Sequence, residues 1–498
     1  MDPRLPVLVG AGQVGGRAGA PPLDRHPLDL VEDAARAAET DAGGGGLLAR
    51  LDAVAVAMPL SWPAGDPARL LAERLGATPR LTVGSGIGGN VPQTLVTELA
   101  TRVAAGELDV ALVASVEVLA TLAAARKAGE LPAWATDPPP PGEPGLLVEP
   151  TRPGTSEAEN AAGLLAPVAM YPLFEHAVRG RAGTGRDEHL ARIAALWARC
   201  SEVAEANPHA WDPRRRAAEE IATASQDNRI VSDPYRKLLN AQIQVDQAAA
   251  LILCSAGAAE AAGIPRERWV FVHAGADAHD HWLVSEREAL GESPALRAAG
   301  RAALRGAGAG IDDVAHLDLY SCFPSAVEVA GTELGVDPWD PSRAPTVTGG
   351  LTFAGGPGNG YVTHAIATLA HRLRADPGAL GLVTGLGWYL TKHSVGVYGA
   401  RPPAGGFARA DLRDTAHGQK RAAMAPDEAG EGTVESYTAV YGRDGAPSHG
   451  IVAALGADGS RAIRGSGAPE ALAWLTGDED PIGRRVALDA AGGFVPSG

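Results

Sequence analysis

Apolar positions in the first quarter of the chain recur as short runs set between amphipathic stretches. Pro6–Val9 is an unbroken run of buried-strand length, and Leu51–Pro59 carries Val54, Val56 and Met58 in alternation. Arg80–Val83 and Asp109–Val118 read as two further strands. Between them, Leu28–Thr40 and Asp66–Leu75 have helical spacing, and Thr94–Ala105 places Leu95, Leu99 and Val103 on one face. A glycine-rich loop, Gly84–Asn90, precedes that last helix, with Pro92 where a first-turn proline is tolerated. Strand, helix and strand in this succession predict an α/β fold with a parallel or mixed sheet.

The pattern returns after Trp269. Val270–Ala274 and Ala315–Tyr320 read as strands, Pro294–Ala307 and Ser325–Leu334 as helices. A second glycine-rich loop, Gly349–Gly360, feeds a helix at Val362–Arg374 and a strand at Ala379–Thr384. Asn90 closes the first loop ahead of a helix bearing Arg102, and Asn359 closes the second ahead of one bearing Arg372. This correspondence predicts an internal duplication of one α/β unit.

Other segments break the period. Pro138–Pro141 is a run of four prolines, and Leu131–Pro153 has no long periodic segment. Helical spacing resumes at Ala158–His176 and Arg186–Ala206, the latter carrying Leu190, Ile193, Leu196 and Trp197. Residues 119–235 therefore read as a largely helical insertion over one face of the sheet, a setting for a lid or pocket wall. Gln242–Ser255 returns to the core. Arg401–Gly432 is rich in Pro, Gly, Ala and charge and reads as a linker, whereas Val434–Tyr441 alternates ahead of the hairpin signal Arg443-Asp444-Gly445. The expected division is 1–265 and 266–400 for the two halves, 401–433 for the linker, and 434–498 for a small antiparallel β-domain of barrel type.

Composition removes several function classes. The 498 residues carry a net charge of −16, which disfavours nucleic acid and anionic lipid as partners. Hydrophobic residues at 45% and charged residues at 20% fit a globular chain. Three cysteines, Cys200, Cys254 and Cys322, are too few for a disulfide scaffold and point to a reducing compartment. No apolar run reaches membrane-spanning length and the first residues lack a signal-peptide pattern, so a cytoplasmic location is expected. Gly10–Gly15 matches G-x-G-x-x-G, but Gly16, Gly19, Pro21 and Pro22 follow at once, and no helix can start there to meet a pyrophosphate. No spacing of His, Cys and carboxylates suggests a metal site.

The duplicated unit, the insertion and the two glycine loops together resemble the thiolase fold, over about residues 5–399. Gly88–Glu117 resembles the segment in which the thiolase nucleophilic Cys opens a buried helix. Tyr320-Ser321-Cys322-Phe323 resembles the His-Asp-Cys-Phe stretch of sterol-carrier-type thiolases. Gly355-Gly356-Pro357 stands where the family has Gly-His-Pro, and Gly385-Leu386-Gly387 where it has Cys-x-Gly. With its β-domain the chain resembles the thiolase-like proteins with an additional C-terminal domain, often labelled acetyl-CoA acetyltransferases. The resemblance implies a fold of αβαβα layers with an OB-like C-terminal domain. It also implies acyl-CoA as substrate with no bound cofactor, a place in lipid metabolism, and either a homodimer or, if the acidic surface and added domain block that contact, a monomer.

The departures fall on the chemistry. The nucleophile position holds Gly89 (Val83 on a second alignment), and the activating His, the second Cys and the motif His are replaced by Gly356, Gly385 and Tyr320. Glycine neither attacks a thioester nor carries a proton. Three side chains could rebuild a site: Cys322 ahead of a helix N-terminus, His364 one turn into the second loop's helix, and His393 after the last core strand. Asn90 and Asn359, beside Gly89 and Gly356, would bind substrate as amide donors to an oxyanion. Two functions follow: an acyl-CoA-dependent acyltransferase with a non-standard site, or an inactive scaffold that binds CoA esters or a protein partner.

Overall fold

The computed structural model describes residues 1–15, 25–137, 140–415, 417–425 and 427–497. The breakers Gly16, Gly19, Pro21 and Pro22 and the first two prolines of the Pro138–Pro141 run lie outside the described residues. One mixed sheet runs in the order Val314–Asp318, Leu380–Gly387, Lys392–Gly399, Val270–His279, Pro6–Gly15, Asp246–Ser255, Val110–Val118, Ala53–Val56, Leu81–Ser85 and Leu146–Val148.

Pairing directions expose the duplication. In the first half Leu81–Ser85, Ala53–Val56 and Val110–Val118 are parallel, and Asp246–Ser255 then runs antiparallel to both Val110–Val118 and Pro6–Gly15. In the second, Val314–Asp318 is parallel to Leu380–Gly387, and Lys392–Gly399 runs antiparallel to both Leu380–Gly387 and Val270–His279. The halves meet where Val7 and Leu8 pair with Phe271 and Val270.

Helices complete five layers. Pro27–Asp41 covers the outer face of the first half's strands and Pro294–Ala307 that of the second half's. Val91–Ala104 and Tyr361–Ala375 lie between the strands of the two halves, each touching its own half, the opposite half and the other helix. This central position explains why Val91–Val103 is buried nearly all round, instead of being striped like a surface helix. The glycines of the G-x-G pattern sit inside strand Pro6–Gly15, where helix Pro27–Asp41 crosses. A Cβ on Gly10 would come within 2.2 Å of Ala38 O, and one on Gly12 within 2.2 Å of Ala34 O. They serve close strand–helix packing and form no phosphate loop.

The insertion contributes helices Leu119–Ala128, Pro167–Ala182 and Arg186–Glu205. The segment read as a linker carries Ala408–Leu412, which pairs in parallel with Val270–His279. The C-terminal sheet has the order Arg461–Ser466, Pro447–Gly456, Gly430–Tyr441, Arg485–Leu488, Phe494–Pro496, with helix Pro469–Thr476 between its third and fourth strands. Three-two-one-four-five with a helix after strand three is OB topology. This domain leans on the insertion: Arg179 forms a two-pronged ion pair with Asp480 at 2.6 and 2.9 Å, and Ser436 Oγ donates to Leu173 O at 2.6 Å. Among the described residues no helix is long and apolar enough to cross a membrane.

Candidate active site

The two glycine loops meet between the halves, at the N-termini of the two central helices. Asn359 ties them together: its Oδ1 accepts from Gly88 N at 2.8 Å and its Nδ2 donates to Met58 O at 2.7 Å. Ser115 Oγ adds a bond to Gly360 O at 3.2 Å. Both ends of the Asn359 amide are thus engaged with backbone. Asn90 is buried at the start of helix Val91–Ala104, makes no side-chain cap bond, and its Oδ1 has no hydrogen-bond partner among the described residues.

Around Gly89 the space is filled by a phenol. A Cβ at this position would lie 2.1 Å from Tyr320 Oη, 2.5 Å from Tyr320 Cζ and 2.7 Å from Leu386 O. Tyr320 follows strand Val314–Asp318, and its backbone N–H donates to Thr384 Oγ1 at 2.8 Å. Burial, with Cys322 adding to it, pushes its hydroxyl above the ordinary tyrosine value, so the phenol stays protonated. Gly385 and Gly387 line the opposite wall, where Cβ atoms would reach Asn90 Cα at 2.8 Å and Asn90 Oδ1 at 2.3 Å. Beside Gly356 a Cβ would meet Gln242 O at 3.3 Å and Ala241 Cβ at 3.5 Å, so the residues leading out of the insertion stand against the place of the family's activating imidazole.

Lys392 completes the wall. Its Nζ donates to Ile87 O at 2.6 Å and pairs with Glu149 at 3.4 Å, both side chains being almost fully buried. Glu149 also meets His279 at 3.2 Å and Arg413 at 3.1 Å. Burial alone would raise the Glu149 carboxyl, yet the hydrogen bond and charge of His279, with Lys392 and Arg413, hold it at about 2. Burial lowers the Lys392 ammonium, and Glu149 offsets only part of that. Glu149 itself sits at φ 49°, and the turn joining Leu380–Gly387 to Lys392–Gly399 holds Trp388 and Leu390 at φ 56° and 53°. Three non-glycine residues in this left-handed region, all beside one site, mark a tightly constrained wall.

The three side chains expected to rebuild the chemistry each have a separate set of partners. Cys322 lies against Tyr171, whose ring stacks on Phe323 at 4.3 Å and whose hydroxyl donates to Trp388 O at 2.8 Å. Burial pushes the Cys322 thiol up to about 12, so it stays protonated near neutral pH. His364 faces strand Pro6–Gly15, with Nδ1 2.9 Å from Gln13 Oε1 and Nε2 without a partner among the described residues. His393 faces the outer helix instead, its Nε2 lying 2.9 Å from Ser293 Oγ, 3.1 Å from Leu390 O and 3.3 Å from Asp280 Oδ2. Ser293 caps helix Pro294–Ala307 and donates straight to Asp280. With one imidazole nitrogen facing both groups, this is a buried cap network and no nucleophile–base–acid relay. No hydrogen bond or ion pair joins any two of Cys322, His364 and His393.

His364 carries a pH signature. Burial, with the nearby His209 adding to it, lowers its imidazole to about 3 against an ordinary 6.5. The unfolded chain therefore binds this proton first, and the stability it carries is full above pH 6.5 and falls as pH drops toward 3. His364→Gln is expected to flatten the stability–pH curve in that window by up to about 1.4 kcal/mol per pH unit. Urea midpoints of both proteins at pH 7 and pH 5 check this; equal slopes would refute it.

Sequence reading missed Tyr320 as the occupant of the nucleophile position, and it missed the Lys392–Glu149–His279–Arg413 cluster. One signal was available. Residues 392 and 393 begin a strand, so their side chains point to opposite faces and only one can reach the loops. Tyr398 Oη donates to Gln93 Oε1 at 2.6 Å, so the even-numbered face of that strand meets the central helix, and Lys392 lies on it.

Comparison with known proteins agrees with this architecture. Residues 411–492 match the family model described as the thiolase-like protein type 1 additional C-terminal domain. A monomeric SCP2-thiolase-like protein type 1 from Mycobacterium smegmatis is 32% identical, with full coverage of both chains and a TM-score of 0.82. An Ltp2–ChsH2(DUF35) aldolase is similar at 17% identity and TM-score 0.58, over 80% of this chain and 98% of that one. An acetyl-CoA acetyltransferase from Syntrophomonas wolfei is similar at 17% identity and TM-score 0.56, over 80% and 99%. These last two likenesses concern the fold alone. No curated protein matches the sequence.

Proposed function

Given that the chain belongs to the SCP2-thiolase-like protein type 1 family, we propose that it binds acyl-CoA thioesters without forming an acyl-enzyme. One observation carries the reading: at the helix N-terminus where a thiol would attack, the chain has no side chain at Gly89 and a phenol in its place. A thioester carbonyl brought there meets the O–H of Tyr320, a donor with no hydrogen-bond partner among the described residues. A neutral phenol beside a helix N-terminus can polarise a carbonyl, but it offers no thiolate to take the acyl group.

Acyl transfer through Cys322 is the rival reading, favoured by its place at the N-terminus of helix Pro324–Leu334. Intact-mass spectrometry after incubation with acetyl-CoA separates the two. No adduct is expected, while calorimetry with acetyl-CoA registers binding that weakens about 3- to 10-fold in Tyr320→Phe, the worth of one hydrogen bond. An acetyl adduct lost in Cys322→Ala, or the absence of any acyl-CoA binding, would overturn the proposal.

A further inference from the structure

A cavity of about 500 Å³ lies outside the candidate active site, between helices Pro167–Ala182, Arg186–Glu205 and Pro324–Leu334. His189 and Glu328 reach it from two of these helices, and Glu175, on the third, stands behind them. All three are buried, and one potential ligand atom from each lies within 4.8 Å of the other two. Helix Pro167–Ala182 and strand Tyr235–Arg236 belong to the insertion, whereas Glu328 comes from the second half, so the fold itself brings the set together.

We infer that Glu175, His189 and Glu328 form a binding site for a divalent transition-metal ion of the zinc class, with its open side facing the cavity. Two carboxylates and an imidazole suit such an ion, and three protein ligands leave a fourth position for water or a ligand from the cavity. Two buried polar atoms here have no hydrogen-bond partner among the described residues, Glu328 Oε1 and His189 Nδ1. The first lies on a side chain only 5% exposed that lines the cavity; burial and the neighbouring Glu175 carboxylate hold the Glu328 carboxyl in its protonated form, and a cation would take the place of that proton. The second can hold the ring proton once Nε2 ligates, so the ring need not become charged.

Distances are compatible with one ion. His189 Nε2 and Glu328 Oε1 are 3.6 Å apart, near the separation of two ligands that each lie about 2.1 Å from a tetrahedral metal. His189 Nε2 and Glu175 Oε1 are in direct hydrogen-bond contact, closer than two ligands of one ion, so metal entry replaces that bond by two metal bonds. Behind the ligands, Tyr235 Oη donates to Glu175 Oε2 at 2.5 Å and meets Ser325 Oγ at 2.9 Å, the outer support expected for a ligating carboxylate. At the cavity wall Arg192 lies 4.3 Å over the ring of Trp339 and Arg181 pairs with Glu292 at 2.8 Å, so cationic groups there would favour an anion in the fourth position. Metal binding at this place does not depend on acyl-CoA binding.

The probes are Zn²⁺ and, for spectroscopy, Co²⁺. Full-length chain stripped with chelator, incubated with Zn²⁺ and gel-filtered is expected to retain about one ion per chain. The Co²⁺ form should show visible d–d absorption that Zn²⁺ abolishes. Glu328→Gln, which keeps the side-chain shape, and His189→Gln should each weaken Zn²⁺ binding in chelator competition by more than the about 10- to 100-fold typical of outer-shell losses. Glu292→Gln, which removes only the ion pair made by Arg181 of the wall, should leave it unchanged. Should His189→Gln fail to fold, Glu328→Gln carries the test. Retention of less than about a tenth of an ion per wild-type chain, or Zn²⁺ affinity unaltered in a folded Glu328→Gln, would overturn the inference.

Discussion

Arg461→Ala is expected to lower the unfolding free energy by about 3–5 kcal/mol, the cost of breaking a buried charge pair from one side. Arg461 has no exposed surface, although it lies in the C-terminal OB-like domain. Its Nε and Nη2 donate to the two carboxylate oxygens of Glu435 at 2.7 and 2.9 Å, a planar fork matched to a carboxylate. The remaining donors reach into the second half, to Arg287 O and, at 3.1 Å, to Glu288 O. Arg461 Nη1 thereby joins the backbone of Arg287, whose own guanidinium donates to Tyr389 O at 2.6 Å and to Thr391 Oγ1 at 2.7 Å. Those two residues belong to the turn that carries Lys392, so the small domain is linked to the candidate site through two arginines. Removing the side chain leaves Glu435 and two carbonyls without donors. Arg461→Lys keeps the charge but cannot reproduce the fork, and about half of the loss is expected there. Urea unfolding followed by tryptophan fluorescence measures both. A loss below about 1 kcal/mol in Arg461→Ala would mean that water replaces these bonds and that the domain docks by apolar contact alone.

Much of this architecture was legible because it rests on period and punctuation. The strand and helix alternation, the two glycine loops and the C-terminal hairpins are all local signals, and a duplicated order of them specifies the layers. The resemblance to thiolases added the spatial relation of the loops, which no local signal contains. The candidate site was harder for a physical reason. Cys322, His364 and His393 stand out in the sequence by residue type and by nearness to loops, but facing is decided by register. His364 lies on the side of its helix that meets Gln13, and His393 lies on the strand face that meets Ser293. Glu149 could not have been found from its surroundings, because it lies in a stretch without period, and its partners His279, Lys392 and Arg413 come from three distant segments. The same holds for Glu175, His189 and Glu328, whose convergence depends on how the insertion folds against the second half.

Gly89→Cys, the substitution that would restore the thiolase nucleophile by sequence, is expected instead to destabilise the chain by about 3 kcal/mol, the upper part of the overpacking range. Backbone conformation does not require glycine here, since Gly89 is not among the positive-φ residues. What excludes a side chain is space, with the phenol of Tyr320 and the carbonyl of Leu386 both inside contact distance of a Cβ. The phenol cannot simply swing away. Its ring packs edge-on against Tyr361 with centroids 5.5 Å apart, and its backbone is fixed by Thr384. In Gly89→Cys the new thiol is therefore expected to be crowded and slow toward iodoacetamide in the folded state. Combining it with Tyr320→Ala empties the phenol's volume, should recover part of the lost stability, and exposes a thiol to the amides at the start of helix Val91–Ala104. There the helix N-terminus favours the thiolate, so alkylation at neutral pH should become markedly faster than in the single variant. Chemical denaturation paired with timed alkylation of the two proteins decides the matter. If the single variant is as stable as the parent and its thiol reacts readily, Tyr320 does not fill the nucleophile position, and the case against an acyl-enzyme loses its physical basis.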